Sequence, residues 1–441
     1  MNVKLHLKMD KFESFEGTCI TGNELNSLGL TFVKITRESM NHHGFQLCVG
    51  ENEDTHELTM KTCSQGGLYF CPSKYMSSFI EYGNGYHYVT IDDNERVFIE
   101  QGKAKAKKIT LSRKYVFNEL SYSEAKELIK LDWQMYGYIN DDYYNDEELC
   151  KIAVFNCGLA IKFMTDEMRN NKEICKIAAN NNGRSIIYMS EEMKNNEEIC
   201  KIAANNNGIS IKYMSEEMKN DEEICKIAAN NNGISIKYMS KEMQNNKEIC
   251  KIAAANYGLS LSFMSDEIKN NEEVCKIALA NDKAAVRYIG PDVKNNEEIA
   301  KYAVSLNGMH IIRFNKEFRD NIDICKIAIE NDLNAIYYAS NRIKNNPEIC
   351  EYIIAECHKR PFDLRKLPLQ IKNNIEICKI AVTRDNDAIH MVTNEMRMNI
   401  DFCVFATLHH RNNLFALSKI MRELVLRKIG GARHAAAPRS P

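Results

Sequence analysis

The amino-acid sequence predicts a mainly α-helical protein, an α-solenoid of about eleven 25-residue helical-pair repeats preceded by a small, β-rich α+β domain. Three observations predict it. Ten cysteines stand in one register, from Cys150, Cys175, Cys200, Cys225, Cys250 and Cys275 to Cys325, Cys350, Cys378 and Cys403, with Ala300 taking the position once. The 25 residues from Glu197 to Asp221 recur from Glu222 to Asn246 with three changes, at Lys241, Gln244 and Asn246. The first 118 residues carry no such period and read instead as short runs of β-branched and aromatic residues between Gly, Asn and Asp turns. A fixed period of this length is the mark of units too small to bury their own apolar faces, which use their neighbours instead.

The chain has 441 residues and divides in sequence into an α+β domain (1–118), a linker helix (119–140), the repeat array with a C-terminal capping helix (141–429) and a disordered tail (430–441). In the first domain LTFVKIT, GLYFC, YHYVTI and RVFIEQG read as strands. GKAKAKKITLSRK (102–114) reads as an edge strand whose Lys103, Lys105 and Lys107 share a solvated face, the charges guarding the edge. Ser121–Ile139 reads as one helix, with Trp133 packed at the junction.

Within a repeat, Asn220 or Asp221 caps a helix whose first turn holds Glu222 and Glu223, carboxylates suited to the positive end of the helix dipole. Ile224, Cys225, Ile227 and Ala228 share one face, and Gly233 closes the helix as a left-handed glycine. The second helix puts Ile236, Met239 and Met243 on one side, with Ser240 capping a last short turn. Packed helices lie about 8–10 Å apart, so the array is expected to be on the order of 100 Å long. Between Cys350 and Cys378 three extra residues and Pro361 and Pro368 predict a bend or bulging loop, and Leu414–Ile429 reads as the capping helix.

The cysteines read as small buried residues at packed faces, since Ala300 substitutes for one. Thiols spaced by a helix diameter are too far apart to share a zinc ion or to form disulfides, and unpaired thiols in such number indicate a reducing, cytoplasmic setting. The lysine column (Lys151, Lys176, Lys201, Lys226, Lys251, Lys276, Lys301, Lys326 and Lys379) has an acidic residue three before each lysine and often a glutamate four before it, which favours neutral surface pairs over a basic stripe. The Asn runs (180–182, 205–207, 230–232) read as helix-end and turn residues. A net charge of -2 gives no reason to expect nucleic acid. No signal peptide is read in MNVKLHLKMDKFESFEG, and no run reaches the roughly 18 apolar residues of a membrane span.

Two clusters in the first domain could carry chemistry. Cys48, His56, Cys63 and Cys71 lie near one another, but their spacing fits no strong zinc pattern. NHHGF (41–45) and GLYFC (67–71) resemble the His and Tyr motifs of ADP-ribosyltransferases. That resemblance implies His43 at a nicotinamide ribose, Tyr69 stacked on the nicotinamide and Glu100 of VFIEQG as a third member. Phe45 stands where Ser or Thr follows His-Gly in that family.

AANNNGISIKYMSEEMKN is similar to an uncharacterised family of tandem 25-residue helical repeats found in bacteria, some protists and giant DNA viruses of amoebae. The head, from GLTFVKIT through NHHGFQLCVGENED to YHYVTIDDNERVFIEQGKAKAKKITLS, resembles the leading domain of mimivirus-like repeat proteins, where it precedes ankyrin arrays. Together the two resemblances imply a giant-virus origin and supply no activity. The expectation is a non-enzymatic adaptor, monomeric and cytoplasmic, without cofactor or metal, that contacts protein partners of a host rather than nucleic acid or membrane. The alternative is an ADP-ribosyltransferase-like head that the repeats target.

Overall fold

A computed structural model describes residues 2–42 and 45–435. The chain divides into two compact units, Met1–Asn231 and Asn232–Pro441. The first unit opens with helix α1 (Asn2–Glu13), strand β1 (Cys19–Thr21) and helix α2 (Gly22–Ser27). Then come β2 (Phe32–Thr36), β3 (Asn41–His42), β4 (Phe45–Gln46), β5 (Gly50–Glu53), β6 (Leu68–Pro72), β7 (Gly85–Thr90), β8 (Arg96–Glu100), β9 (Lys103–Ala106), β10 (Lys108–Leu111) and β11 (Tyr115–Val116). β3 pairs with β4, and the other nine form an antiparallel sheet in the order β1-β8-β9-β6-β2-β7-β10-β5, with β11 on β7. Met9 and Phe12 of α1 lie in a buried cluster with Phe32, Phe70, Val97 and Ile99.

The sheet is two halves joined by a short seam. β2 and β6 pair only at Phe32–Pro72 and Val33–Cys71, whereas β2 follows β7 along its whole length and β6 follows β9 over three residues. Past Val33 the two strands part, and a cleft opens there.

The alternating lysines do not guard an edge. β9 lies between β8 and β6, with Ala104 and Ala106 fully buried in the core and Lys105 fully buried on the other face. The alternation holds, but the alanines are needed for close packing beneath the sheet. The lysines are tolerated because Glu100 and a ring of oxygen acceptors receive them.

Residues 119–140 do not form a single helix either. Helix α3 (Tyr122–Leu131) stops at Asp132, and a 3₁₀ helix spans Trp133–Tyr138. This copies the next segment, helix Glu147–Asn156 and 3₁₀ helix Gly158–Phe163, 25 residues on, with Ala125 in the register of the cysteines. The linker is thus a further repeat that lacks the cysteine. Trp133 contacts Phe163 with ring centroids 6.3 Å apart, and the carboxyl of Asp132 accepts from the Ser77 N–H at 3.0 Å.

Each repeat has three short helices, not two. In the copy from Glu197, an α-helix (Glu197–Asn206) leads through extended Asn207 into a 3₁₀ helix (Gly208–Tyr213) and a one-turn α-helix (Glu216–Lys219). Capping is local and polar: Asp221 accepts from the Ile224 N–H at 2.8 Å, Asn207 from Ile209 at 3.0 Å and Ser215 from Met218 at 3.2 Å. Gly183, Ile186 and Met189 are buried at a spacing of three, the 3₁₀ period that sequence reading folded into an α-helix. The buried residues of the first helix are Ile224, Cys225, Ala228 and Ala229, with Ile227 only half-buried.

The repeat glycines are not left-handed, unlike Gly17 or Gly102. A Cβ on Gly183 would stand 2.4 Å from the Ala203 carbonyl oxygen, and one on Gly233 2.4 Å from that of Ala253. Glycine is required by the close approach of the next repeat, not by backbone freedom. Asparagine completes that contact. Asn206 accepts from the Gly183 N–H at 2.7 Å and donates to the Asn180 carbonyl at 2.8 Å. Asn181 does the same for Gly158 and Phe155.

In the second unit the same ladder runs from Asn281 to Gly258 and from Asn331 to Gly308. The three-residue insertion there lengthens helix Pro347–Cys357 to 11 residues and loops out before a short 3₁₀ helix, Leu364–Lys366. The loop is stitched down by Asp363 N–H to Asn334 at 2.8 Å and by Arg384 to the Arg360 carbonyl at 2.7 Å. The final helix, Lys419–Ala435, runs past Ile429 into the segment expected to be a disordered tail (430–441). Arg and Ala beyond the two glycines are good helix formers. Residues 436–441 lie outside the described residues.

Candidate functional site

Two regions bring functional groups together: the cleft between β2 and β6, and one face of the repeats. The cleft has a volume of about 750 Å³ and its walls include Lys34, Phe45, His56, Cys63, Tyr69, Phe79, Tyr82 and Lys103. Tyr69 lines this cleft and meets Glu100, another of the three candidate residues, which does not line it. The Tyr69 hydroxyl donates to Glu100 at 2.9 Å, and burial together with that carboxylate holds the phenol well above its ordinary pKa. His43, the third, lies outside the described residues.

The surroundings of that pair are cationic. The Lys103 ammonium lies 4.4 Å from the Tyr69 ring centroid and 3.5 Å from Glu100. Lys105 lies 3.7 Å from Glu100 and donates to the Lys61 carbonyl at 2.8 Å and to Thr59 and Ser64 at 3.1 Å. Burial pushes the Lys105 amine down, and at Lys103 burial is outweighed by the bond to Cys63 and the charge of Glu100. Glu100 is only 3% exposed. Its oxygens are taken up by Tyr69, Lys103, Lys105 and the Cys63 N–H.

The four zinc-type candidates do not converge. Among the described residues no group of three or more His, Cys, Asp and Glu could hold a metal ion. His56 faces Asp54 at 3.3 Å, Cys63 accepts from Lys103 at 3.2 Å, Cys48 is exposed and Cys71 is buried. Burial pushes the Cys71 thiol up to about 12.

Sequence reasoning missed Lys34. It is 4% exposed, lines the cleft and spans the parted strands by donating to the Tyr69 carbonyl at 2.7 Å. Burial pushes its amine down to about 8. The available signal was a lysine inside TFVKIT, a strand otherwise fit for the core.

On the repeats, the cysteines are structural. Cys200 donates to the Lys194 carbonyl at 3.2 Å and Cys275 to that of Lys269 at 3.1 Å, tying the one-turn helix to the next α-helix. Burial pushes the thiols of Cys175, Cys200, Cys225, Cys250 and Cys275 up to about 12. The lysine column is neutralised within repeats and also between them. Lys176 reaches Glu198 at 2.8 Å, Lys201 reaches Glu223 at 2.6 Å and Lys251 reaches Glu273 at 2.7 Å.

A second column went unread. From Tyr138 to Tyr338 the residue at or just after the end of the 3₁₀ helix is aromatic and partly exposed in eight of nine repeats: Tyr138, Phe163, Tyr188 and Tyr213 in the first unit, Tyr238, Phe263, Tyr288 and Tyr338 in the second. Arg313 interrupts the series, and Lys366, Met391 and Ala416 take the position in the three repeats that follow Tyr338. Phe163 is 49% exposed. The residue before that position varies through Gly137, Lys162, Ile187, Lys212, Lys237, Ser262, Arg287, Ile312 and Tyr337. Lysines there lie over the rings, as Lys212 does 5.4 Å from Tyr213 and Lys237 does 5.6 Å from Phe263.

Four consecutive segments, 146–194, 196–244, 246–294 and 296–344, match a domain of unknown function, DUF4116. Each spans two of the 25-residue repeats, so the chain is similar to an uncharacterised tandem-repeat family over somewhat less than half its length. No curated protein and no solved structure matches the chain. Among the described residues no helix is long and apolar enough to cross a membrane.

Proposed function

We propose that the repeats build an α-solenoid that serves as a non-enzymatic protein-interaction scaffold, with the aromatic column as its contact surface. The observation that carries this reading is a partly exposed ring at a constant place in eight of the nine repeats from Tyr138 to Tyr338, beside a position that changes from repeat to repeat. Tyrosine and phenylalanine supply large contact area at little conformational cost and are enriched at the buried centres of interfaces. The variable neighbour sets partner choice while the core stays untouched. A giant-virus origin would make the partner a host protein, met in the host cytoplasm by a monomeric chain. The paired lysines give no basic stripe for nucleic acid, and the head serves to orient the array or to add a second contact.

The test is capture from amoebal lysate by the full chain, wild type against a Tyr188→Ser, Tyr213→Ser, Tyr238→Ser variant of unchanged helicity. Loss of one specific protein in the variant supports the reading. Equal retention by both overturns it.

A further inference from the structure

The cleft of the head holds a charge that no described residue answers. Lys34 is almost fully buried, and among the described residues it enters no ion pair; its neighbours across the seam are the Tyr69 carbonyl and the Cys71 thiol. An ammonium has three N–H donors, and the carbonyl takes one. A buried cation without a counter-charge is costly, and a fold keeps one where something else neutralises it. Lys34 stands in the wall of the cleft, so the missing charge can come from outside.

The rest of the cleft agrees with an anion. Lys103 adds a second cation to the lining. Asp54 is the carboxylate of the lining, and its two oxygens are already occupied by the Gly67 N–H at 2.7 Å and the His56 N–H at 3.0 Å. Phe45, Phe79 and Tyr82 make the other walls aromatic. A volume of about 750 Å³ suits a small organic molecule with a few converging polar groups.

We propose that the cleft between β2 and β6 binds a small organic anion, a carboxylate or phosphate monoester joined to a flat apolar group, with the Lys34 ammonium as its anchor and Phe45, Phe79 and Tyr82 around the flat group. Chemistry at Tyr69 and Glu100 is not required, because their polar atoms already satisfy one another.

The test is fluorescence titration of the full chain with the aromatic sulfonate 1-anilinonaphthalene-8-sulfonate, with benzoate, phenyl phosphate and neutral anisole as competitors. One saturable site is expected, displaced by benzoate or phenyl phosphate and not by anisole; the stronger of the two displacers assigns the anion. Lys34→Met should weaken the site about tenfold or more, the usual worth of a charge-assisted bond. Phe79→Ala keeps the charge and removes part of the wall, and it should weaken the site too, which guards against a Lys34 variant that fails to fold. Equal binding by both variants and wild type, or displacement by anisole as effective as by benzoate, overturns the proposal.

Discussion

Lys34 weakens the head at neutral pH, and the direction of its titration makes that measurable. Its amine is held at about 8 in the folded chain against 10.5 for an exposed lysine. Below pH 8 both folded and unfolded chains bind the proton, and the penalty is present in full. Between about 8 and 10.5 the unfolded chain binds a proton that the folded chain does not, so stability rises with pH across that window. Lys34→Met should flatten this rise. It should also raise stability at pH 7 by a net ~1–2 kcal/mol, because the gain from removing the charge exceeds the loss of the donor to the Tyr69 carbonyl. Urea unfolding at pH 7 and pH 10 checks both; a rise of unchanged slope in the variant would place its source elsewhere.

The glycines give an equally local test. Gly233→Ala drives a methyl to 2.4 Å from a backbone oxygen, and it should cost ~2–3 kcal/mol. Gly137 has nothing within 4 Å of its would-be Cβ, so Gly137→Ala should be neutral or stabilise by ~0.5 kcal/mol. Thermal unfolding of the two variants decides between close approach and backbone freedom. The cysteines divide as sharply. Iodoacetamide should modify exposed Cys48 and Cys63 first, and the buried thiols of the repeats only on unfolding, as mass spectrometry of the alkylated chain will count.

At the scale of the element, the repeat is held to its neighbour by a paired device rather than by apolar packing alone. Asparagine and glycine 23 residues apart form one joint, and at one place the chain lacks both: Lys283 stands where glycine is expected, and Leu306 where its asparagine would be. Asn206→Ala removes both halves of a joint and should cost ~2–3 kcal/mol, measured by urea unfolding, since it also leaves the Gly183 N–H and Asn180 carbonyl without partners.

Much of this element was legible in the sequence. The period, the Asp and Ser caps and the burial of cysteine follow from spacing and residue type. The joint was not, because a hydrogen bond between residues 23 apart leaves no periodic signal inside one repeat. The second helix was misread because Ile236 and Met239, three apart, suit α and 3₁₀ periods equally; Gly233, three before, was the discriminating residue. In the head, the strands TFVKIT and GLYFC were legible, but the place of KAKA was not. A lysine-alanine alternation looks like a solvated edge until Glu100 from another strand is known to receive the charges.

At the scale of the whole molecule, the chain joins a sheet domain with a ligand-sized cleft to a long series of repeats with neutralised charges. Lysines that would read as a nucleic-acid stripe are paired to glutamates within and between repeats, and the proposed contact surface is the aromatic column. The variation of its neighbouring residue, from Lys212 to Ser262 to Ile312, is the pattern a partner-selecting surface would have.

Site-specific photocrosslinking of the full chain tests that account most directly. A benzophenone side chain is placed at Tyr213 or Phe263 in the column, and at Lys201 in the ion-pair ladder. Both column positions should crosslink the same lysate protein while Lys201 crosslinks none. The same adduct from Lys201 at equal yield, or none from either column position, would contradict it.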